Sequence, residues 1–241
     1  MASRLPRMAR SVAGSGAAAA RNAVEDKLFG ALAILRLILL ANAVALNLVR
    51  AQNFERPRLG LLIVLIMIGW TAVVTFGYAQ ASRRTAWLLL VDLALGVGLL
   101  ALSLPAKGPE LRATVPGFWV MAAMLAWAIH WGWRGGFLAA IALVVTDFAI
   151  RDQFTQANYG NSFLLFIGGP IIGFLSDSLK QMAEDRDHAQ REAAAAAERA
   201  RLARAVHDGV LQVLALVQRS GRDQPGDWGR LASLAGEQEV A

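Results

Sequence analysis

The chain has 241 residues, of which 56% are hydrophobic and 17% are charged, and its mean hydropathy is +0.44. Soluble domains carry about 25% charged residues, so this composition is typical of a membrane protein. The chain has no cysteine, which excludes disulfides and thiolate metal sites. The net charge of +6 comes from 24 basic and 18 acidic residues. In a membrane protein the placement of such charges sets orientation, and direct nucleic-acid binding is not predicted.

Residues 1–27 are polar and rich in small side chains, and basic residues outnumber Glu25 and Asp26. The segment Ser11 to Ala20 is too weakly apolar to be the core of a secretory signal. A segment without an apolar core is predicted to be disordered. We therefore expect a basic, disordered tail that lies on the cytoplasmic side by the positive-inside rule.

Six apolar stretches follow the tail and predict a transmembrane sensor domain over residues 28–179. They run at about 28–48, 60–79, 86–104, 117–133, 136–150 and 162–179. The fourth and fifth are short for a bilayer crossing, and a five-span alternative would merge or drop one of them. Six spans are preferred because an even number places both chain ends in the cytosol. The outer loops at about 105–116 and 151–161 are too short for an extracellular ligand-binding domain.

Four ionisable residues lie inside these stretches: Arg36, Asp92, His130 and Asp147. Such groups are costly in hydrocarbon and usually face a partner or the interior of a bundle. Arg36 is expected to pair with either Asp92 or Asp147. That pair would serve in sensing, or it would be an interhelical tie or a side chain that snorkels to the interface.

Tryptophans and glycines mark the later spans. Four tryptophans cluster around the fourth span, and the outer ones are predicted to anchor at the membrane interface. They are Trp119, Trp127, Trp131 and Trp133. The run Gly168-Gly169-Pro170 interrupts the last span, where it predicts either a hinge or ordinary packing.

Residues 180–200 are predicted to form a coiled-coil-like signalling helix after the last span. Charged residues become frequent there, and an alanine run keeps the helix propensity high. A heptad-like seam consists of Leu179, Met182, Ala189, Ala193, Ala196 and Ala200. The apolar residues beyond Leu202 follow a different register, so we expect a shift of register near Leu202. Such a joint would transmit motion of the spans to the following helix.

The following segment, Glu198 to Val217, predicts a helix with one apolar seam. The seam contains Leu202, Val206, Val210, Val213 and Val217, at spacings of three and four. His207 and Asp208 lie beside the seam, and Gln212 is four residues after Asp208, so the latter two share a face. An imidazole, a carboxylate and an amide are thus grouped along an apolar stripe.

This segment resembles the dimerisation and phosphoacceptor helix of sensor histidine kinases that pair with NarL/LuxR-type response regulators. From Glu198 to Gln212 it keeps the pattern Glu-Arg-x-Arg-apolar-Ala-Arg-x-apolar-His-Asp, then three residues, then Gln. The wider chain resembles the MacS family of these kinases, including the run Trp-Gly-Trp-Arg-Gly-Gly at 131–136. The resemblance implies an all-α membrane protein in the plasma (inner) membrane, with both ends cytoplasmic.

The resemblance also implies the roles of the site residues. His207 would be the phosphoacceptor, since a neutral imidazole is a competent nucleophile. Asp208 would be the acid/base that holds the ring, and Gln212 would position water during phosphatase action. Arg199 and Arg204 would add positive charge near phosphate. The implied partners are a second copy of the chain, a NarL/LuxR-type response regulator and the lipid bilayer.

A second helix, Trp228 to Val240, is predicted after a turn at 220–226, so that residues 201–241 form a hairpin and two chains form a four-helix bundle. The ATP-binding domain of the family is expected to be missing. ATP with magnesium would then act only through that domain, and this chain would hold no cofactor or metal, which leaves its status as an enzyme open. The alternative is a catalytically silent membrane bundle or dimerisation partner. His188 has no motif around it and is predicted to be a surface residue.

Overall fold

The computed structural model describes residues 5–108, 113–151 and 155–221, and all regular structure in those ranges is helical. The α-helices are α1 (Leu5–Val49), α2 (Pro57–Tyr78), α3 (Ala86–Ala101), α4 (Ser103–Lys107), α5 (Met121–Ala149) and α6 (Gln156–Gly221). Short 3-10 turns occupy Ala51–Asn53, Ala81–Arg83 and Gly117–Val120. The predicted all-helical class is confirmed for these residues. The predicted helix at 228–240 lies outside the described residues.

Five helical stretches are long and apolar enough to cross a membrane. They are Gly16–Val49, Pro57–Tyr78, Ala86–Lys107, Gly117–Ala149 and Asn158–Leu216. Large apolar side chains remain exposed along them, including Ile34, Leu61 and Phe174, each at least 60% exposed. An apolar surface of this extent belongs against lipid. The chain is therefore a helical membrane protein.

Helix α1 differs from the tail predicted for residues 1–27, because it begins at Leu5 and is continuous through Val49. The acidic residues at the end of the predicted tail have partners in the fold. Asp26 pairs with Arg84 at 2.6 Å, and Glu25 contacts groups on α5 and α6. These contacts hold residues that composition alone assigned to disorder.

Helix α5 folds back on itself at Gly132, whose φ of 68° and ψ of −154° are not helical. A Cβ placed on Gly136 would lie 3.0 Å from the Cβ of Ala128, eight residues earlier. Met121 and Asp147 line one cavity, although 26 residues of straight helix would separate them by about 39 Å. The fourth and fifth apolar stretches of the sequence are therefore the two arms of a helical hairpin.

Glycines allow the second arm of α5 to pack closely on α6. A Cβ on Gly169 would lie 2.4 Å from the backbone oxygen of Gly136, and a Cβ on Gly173 would lie 2.5 Å from the backbone of Gly132. Gly132 and Gly136, like Gly169 and Gly173, are four residues apart, which is the spacing that brings membrane helices into close contact. Of the two explanations predicted for Gly168-Gly169-Pro170, packing has direct support at Gly169.

Two of the apolar clusters in the core of the bundle draw mainly on α1, α2, α3, α5 and the 3-10 turn before α5. One surrounds Met67, Trp119 and Leu143, and the other surrounds Phe29, Val74 and Leu89. The chain divides into two compact units, Met1–Asp185 and Arg186–Ala241. The described part of the second unit is the remainder of α6.

Candidate functional site

The segment Glu198–Gln212 is helical throughout and belongs to α6. His207 and Asp208 are exposed. Gln212, one helical turn beyond Asp208, is exposed as well. The three side chains singled out by the sequence are thus accessible from outside the chain.

The apolar seam beside His207 is exposed in the single chain. Leu202 is 54% exposed, Val206 66%, Val210 51% and Val213 60%. Side chains of this type are normally covered. They form one exposed apolar stripe at helical spacing.

The charged residues of the motif mostly contact their own helix. Arg201 donates to Glu198 at 3.0 Å, and Arg204 donates to the backbone oxygen of Ala200 at 3.3 Å. His188, earlier on α6, is exposed, in agreement with its prediction as a surface residue.

The second group of functional interest is a buried charge network inside the bundle. Arg36 on α1 donates two hydrogen bonds to Asp92 on α3, at 2.9 and 2.6 Å. Arg36 is 2% exposed and Asp92 is fully buried. The structure thereby selects Asp92 over Asp147 as the partner of Arg36. Asp147 pairs with Arg151 at 2.9 Å instead.

Two further side chains on α2 complete the Asp92 network, which we define as Arg36, Trp70, Tyr78 and Asp92. The Trp70 indole donates to Asp92 at 2.8 Å and the Tyr78 hydroxyl at 2.9 Å. A carboxylate has about four acceptor positions, and Asp92 thus receives four hydrogen bonds. The network ties three helices together through one buried acid, which fits the interhelical tie expected from sequence.

Trp119 lies beside the Asp92 network, and its position corrects a prediction from the sequence. It is 2% exposed and donates to Thr71 at 2.9 Å, so it is a core residue and not an interfacial anchor. Its ring also lies 5.9 Å from the guanidinium of Arg36. Trp133, the other outer tryptophan, is 48% exposed, as an anchor should be. The sequence could not separate the two because both flank the same apolar stretch.

The sequence missed a second ion cluster, the Glu25 cluster, which consists of Glu25, His130 and Lys180. His130 lies 2.9 Å from Glu25, and the ammonium of Lys180 lies 3.2 Å from the other carboxylate oxygen. Lys180 is 2% exposed and also donates to the backbone oxygen of Ile129. The cluster joins α1, α5 and α6. The sequence signals for it were His130, an ionisable residue inside an apolar stretch, and a pair of acids at the end of the predicted tail.

Comparison with known proteins identifies the family but not an activity. Residues 17–185 match a family of unknown function, DUF5931. The chain belongs to this family. The match covers most of the chain and ends before Glu198, so the motif around His207 lies outside it. No curated protein and no solved structure matches the chain.

Within the described ranges, no three His, Cys, Asp or Glu side chains are grouped in a way that would hold a metal ion. The described residues do offer two reactive groupings: an exposed imidazole beside a carboxylate on α6, and buried ion pairs in the bundle.

Proposed function

We propose that the DUF5931 chain is the sensor and phosphoacceptor portion of a two-component membrane histidine kinase. His207 accepts phosphate and passes it to an aspartate of a NarL/LuxR-type response regulator. The observation that carries the proposal is the complete pattern from Glu198 to Gln212, exposed and helical on α6, which also contains the last apolar stretch. A lone His-Asp pair would not support it.

The chemistry follows from the residues present. A ring nitrogen of His207 attacks the γ-phosphorus of ATP, an N–P bond forms, and the bond to the ADP oxygen breaks. Asp208 takes or holds the proton of the imidazole, which keeps the attacking nitrogen neutral. A catalytic domain supplies the nucleotide. Gln212 lies on the same face as Asp208. It positions a water molecule that hydrolyses the phosphoaspartate of the regulator.

Dimerisation is part of the proposal. The seam of Leu202, Val206, Val210 and Val213 is the surface that a second copy covers, since each is at least half exposed. Two copies place two apolar stripes against each other, which is the basis of a helical bundle. The helix predicted at 228–240 would add the second pair of helices.

We also infer six membrane crossings, with both ends in the cytosol. Support comes from the hairpin at Gly132, which divides the fourth apolar helix into two opposed arms. Contacts at opposite ends of α1 agree with this: Glu25 meets His130 on the first arm, while Asn47 donates to the backbone of Val115, just before that arm. The arm between Val115 and His130 therefore runs antiparallel to α1.

The test is phosphotransfer in trans. The chain in nanodiscs is mixed with labelled ATP, magnesium and the ATP-binding domain of a related kinase, and the acid-labile phosphate on the protein is measured. Wild type is expected to be labelled and His207→Gln to be unlabelled. His188→Gln is the matched control, because it removes an exposed histidine of the same helix, and it should be labelled like wild type.

Two further outcomes separate this function from a silent bundle. Addition of a NarL/LuxR-type regulator should move the label from His207 to the regulator, and Gln212→Ala should slow the later loss of that label. A chain that is dimeric yet unlabelled, or labelled equally in His207→Gln, would contradict the proposal.

A further inference from the structure

A cavity of about 260 Å³, which we call the Asn47 pocket, lies where α1 ends and α6 begins. Asn47 on α1, Leu143 on α5, Ser162 on α6 and Val115 before α5 all line it. One water takes about 30 Å³ of liquid volume, so the pocket has room for a small organic molecule. All of these residues belong to the first unit, Met1–Asp185.

Among the residues that the structure describes, more positive than negative charge lines the pocket. Three cations, Arg50, Lys107 and Arg151, stand there against one anion, Asp147. Arg151 is bound to Asp147 by two hydrogen bonds, at 3.0 and 2.9 Å. Within the described ranges, neither Arg50 nor Lys107 has a carboxylate at ion-pair distance. Two cations therefore face this space without a counter-charge among those residues.

Lys107 and Arg50 both have side-chain N–H donors that form no hydrogen bond with another described residue. The ammonium of Lys107 donates one hydrogen bond, to the backbone oxygen of Ala113 at 2.8 Å. An ammonium group has three N–H donors, so two remain. Arg50 has five donors, and none of them is bonded to another described residue.

Ser162 provides the second, independent sign of a ligand. It is 3% exposed, and its hydroxyl is buried without a hydrogen-bond partner in the described ranges. A buried hydroxyl without a partner is costly, and such groups usually have one. Asn158, 6% exposed, likewise has no side-chain bond to another described residue, whereas Asn47 is satisfied by bonds at 2.8 and 2.7 Å. Ser162 and Asn158 both line the pocket, so a bound molecule could satisfy them.

The remaining wall includes the apolar residues Leu100, Val120, Leu143 and Leu165, and Asn42, Thr114 and Asn161 add a few polar side chains. An apolar wall with a few polar groups is the usual composition of a small-molecule site. Arg50, Lys107 and Arg151 lie at or just beyond the ends of the membrane-spanning stretches, where water and lipid headgroups meet.

We propose that the Asn47 pocket binds a small anionic amphiphile. Its carboxylate or phosphate faces Arg50 and Lys107, a hydrogen-bonding group meets Ser162, and its apolar part lies against Leu100 and Leu143. The molecule comes from the aqueous phase or is the headgroup region of an anionic lipid, since both present the same chemistry. Under the proposed function, binding of this molecule is the stimulus that acts on His207. The binding itself does not depend on the proposed function.

The test measures binding alone, on the full chain in phosphatidylcholine nanodiscs. The probes are hexyl phosphate and, as its neutral match, hexanol, titrated by calorimetry. Hexyl phosphate should bind at least about tenfold more tightly than hexanol, as a charge-assisted contact requires. Arg50→Gln and Lys107→Gln should each raise its dissociation constant by about tenfold. Arg58→Gln, which removes an exposed arginine outside the pocket, should leave that constant unchanged.

A second experiment identifies the source of the anion. In nanodiscs that contain phosphatidylglycerol, a lipid-headgroup ligand would compete with hexyl phosphate and would remain on the wild-type chain, but not on Lys107→Gln, in native mass spectrometry. A soluble ligand would leave the affinity for hexyl phosphate the same in both lipids. Either result supports the proposal.

The proposal is overturned if the chain binds neither hexyl phosphate nor phosphatidylglycerol. It is equally overturned if binding is unchanged in Arg50→Gln and Lys107→Gln while their helical circular dichroism matches wild type. None of these measurements uses ATP or His207, so a failure of phosphotransfer leaves them intact.

Discussion

The two units of the DUF5931 chain differ in which side chains they bury: the first buries charged groups, whereas the second exposes apolar ones. In the first, Asp92 is fully buried and receives four hydrogen bonds, so the chain itself satisfies a charge that the membrane would not tolerate. In the second, Val206 is 66% exposed beside an exposed His207. The first unit thus satisfies the charge of Asp92 with its own side chains, whereas the second presents an apolar stripe that the proposed dimer would cover. Four substitutions test this contrast.

The largest effect is expected from Asp92→Asn, which leaves Arg36 buried without its counter-charge. Loss of one partner of a buried pair costs about 3–5 kcal/mol. The measurement is the free energy of unfolding in mixed micelles, followed by tryptophan fluorescence. Asp185→Asn, which removes an exposed acid whose side chain accepts a hydrogen bond from Gln181, is the control. A loss below about 1 kcal/mol would show that the Asp92 network is not an essential tie.

Val206→Asp tests the other half of the contrast. Two copies of the side chain leave the dimer interface at once, and burial of one valine contributes about 1.5 kcal/mol, so the dimer dissociation constant should rise roughly 100-fold. Sedimentation of the chain in detergent measures this constant. Ala197→Asp, nine residues earlier and on the opposite face of α6, should leave the dimer intact. An unchanged dimer in Val206→Asp would mean that the seam is not the interface.

Gly169→Ala tests how closely the helices of the first unit are packed. The new Cβ would lie 2.4 Å from the backbone oxygen of Gly136, and overpacking of this kind costs about 1–3 kcal/mol. Gly168→Ala is the matched control, because a Cβ there meets nothing within 4 Å. The expected result is a lower unfolding temperature for Gly169→Ala only. Equal behaviour of the two variants would place Gly169 outside the helix contact.

The smallest effect is expected from Glu198→Gln. The pair that Glu198 forms with Arg201 is solvent-exposed, with side chains 52% and 74% exposed, and such pairs contribute about 0–1 kcal/mol. The losses of unfolding free energy caused by Glu198→Gln and by Asp92→Asn, measured side by side, should differ by a factor of about three or more. Similar losses would erase the distinction between the two units.

Hydropathy and helix periodicity were sufficient to predict the helical class and the position of each apolar stretch. They left the relation of the fourth and fifth stretches open, because the break between them is a single non-helical glycine, Gly132, and not a polar loop. The positive φ of that residue is a local feature that composition does not encode. The sequence favoured six spans only because an even number places both chain ends in the cytosol; the contacts across the hairpin are a separate support for the six crossings that we propose.

The sequence predicted that buried ionisable residues would be paired, but it did not predict which residues pair with each other. The sequence allowed Arg36 to meet Asp92 or Asp147, and only the arrangement of α1 against α3 selects Asp92. Glu25 was assigned to a tail because its partner His130 lies 105 residues away. The motif around His207 was visible because its residues are consecutive on one helix. Its function stays a prediction, since the match to DUF5931 ends before it.

The hairpin at Gly132 also has a consequence for the surrounding lipid. In the six-crossing arrangement, the second arm of the hairpin, from Trp133 to Ala149, is about 25 Å long as a helix, whereas the hydrocarbon layer is about 30 Å thick. Beside exposed side chains such as Leu138 and Val145, which are both 59% exposed, the bilayer must thin to match. The short hairpin would thus favour thinner regions of the membrane. Changes in acyl-chain length would deform this side of the protein more than the side formed by α1 and α2.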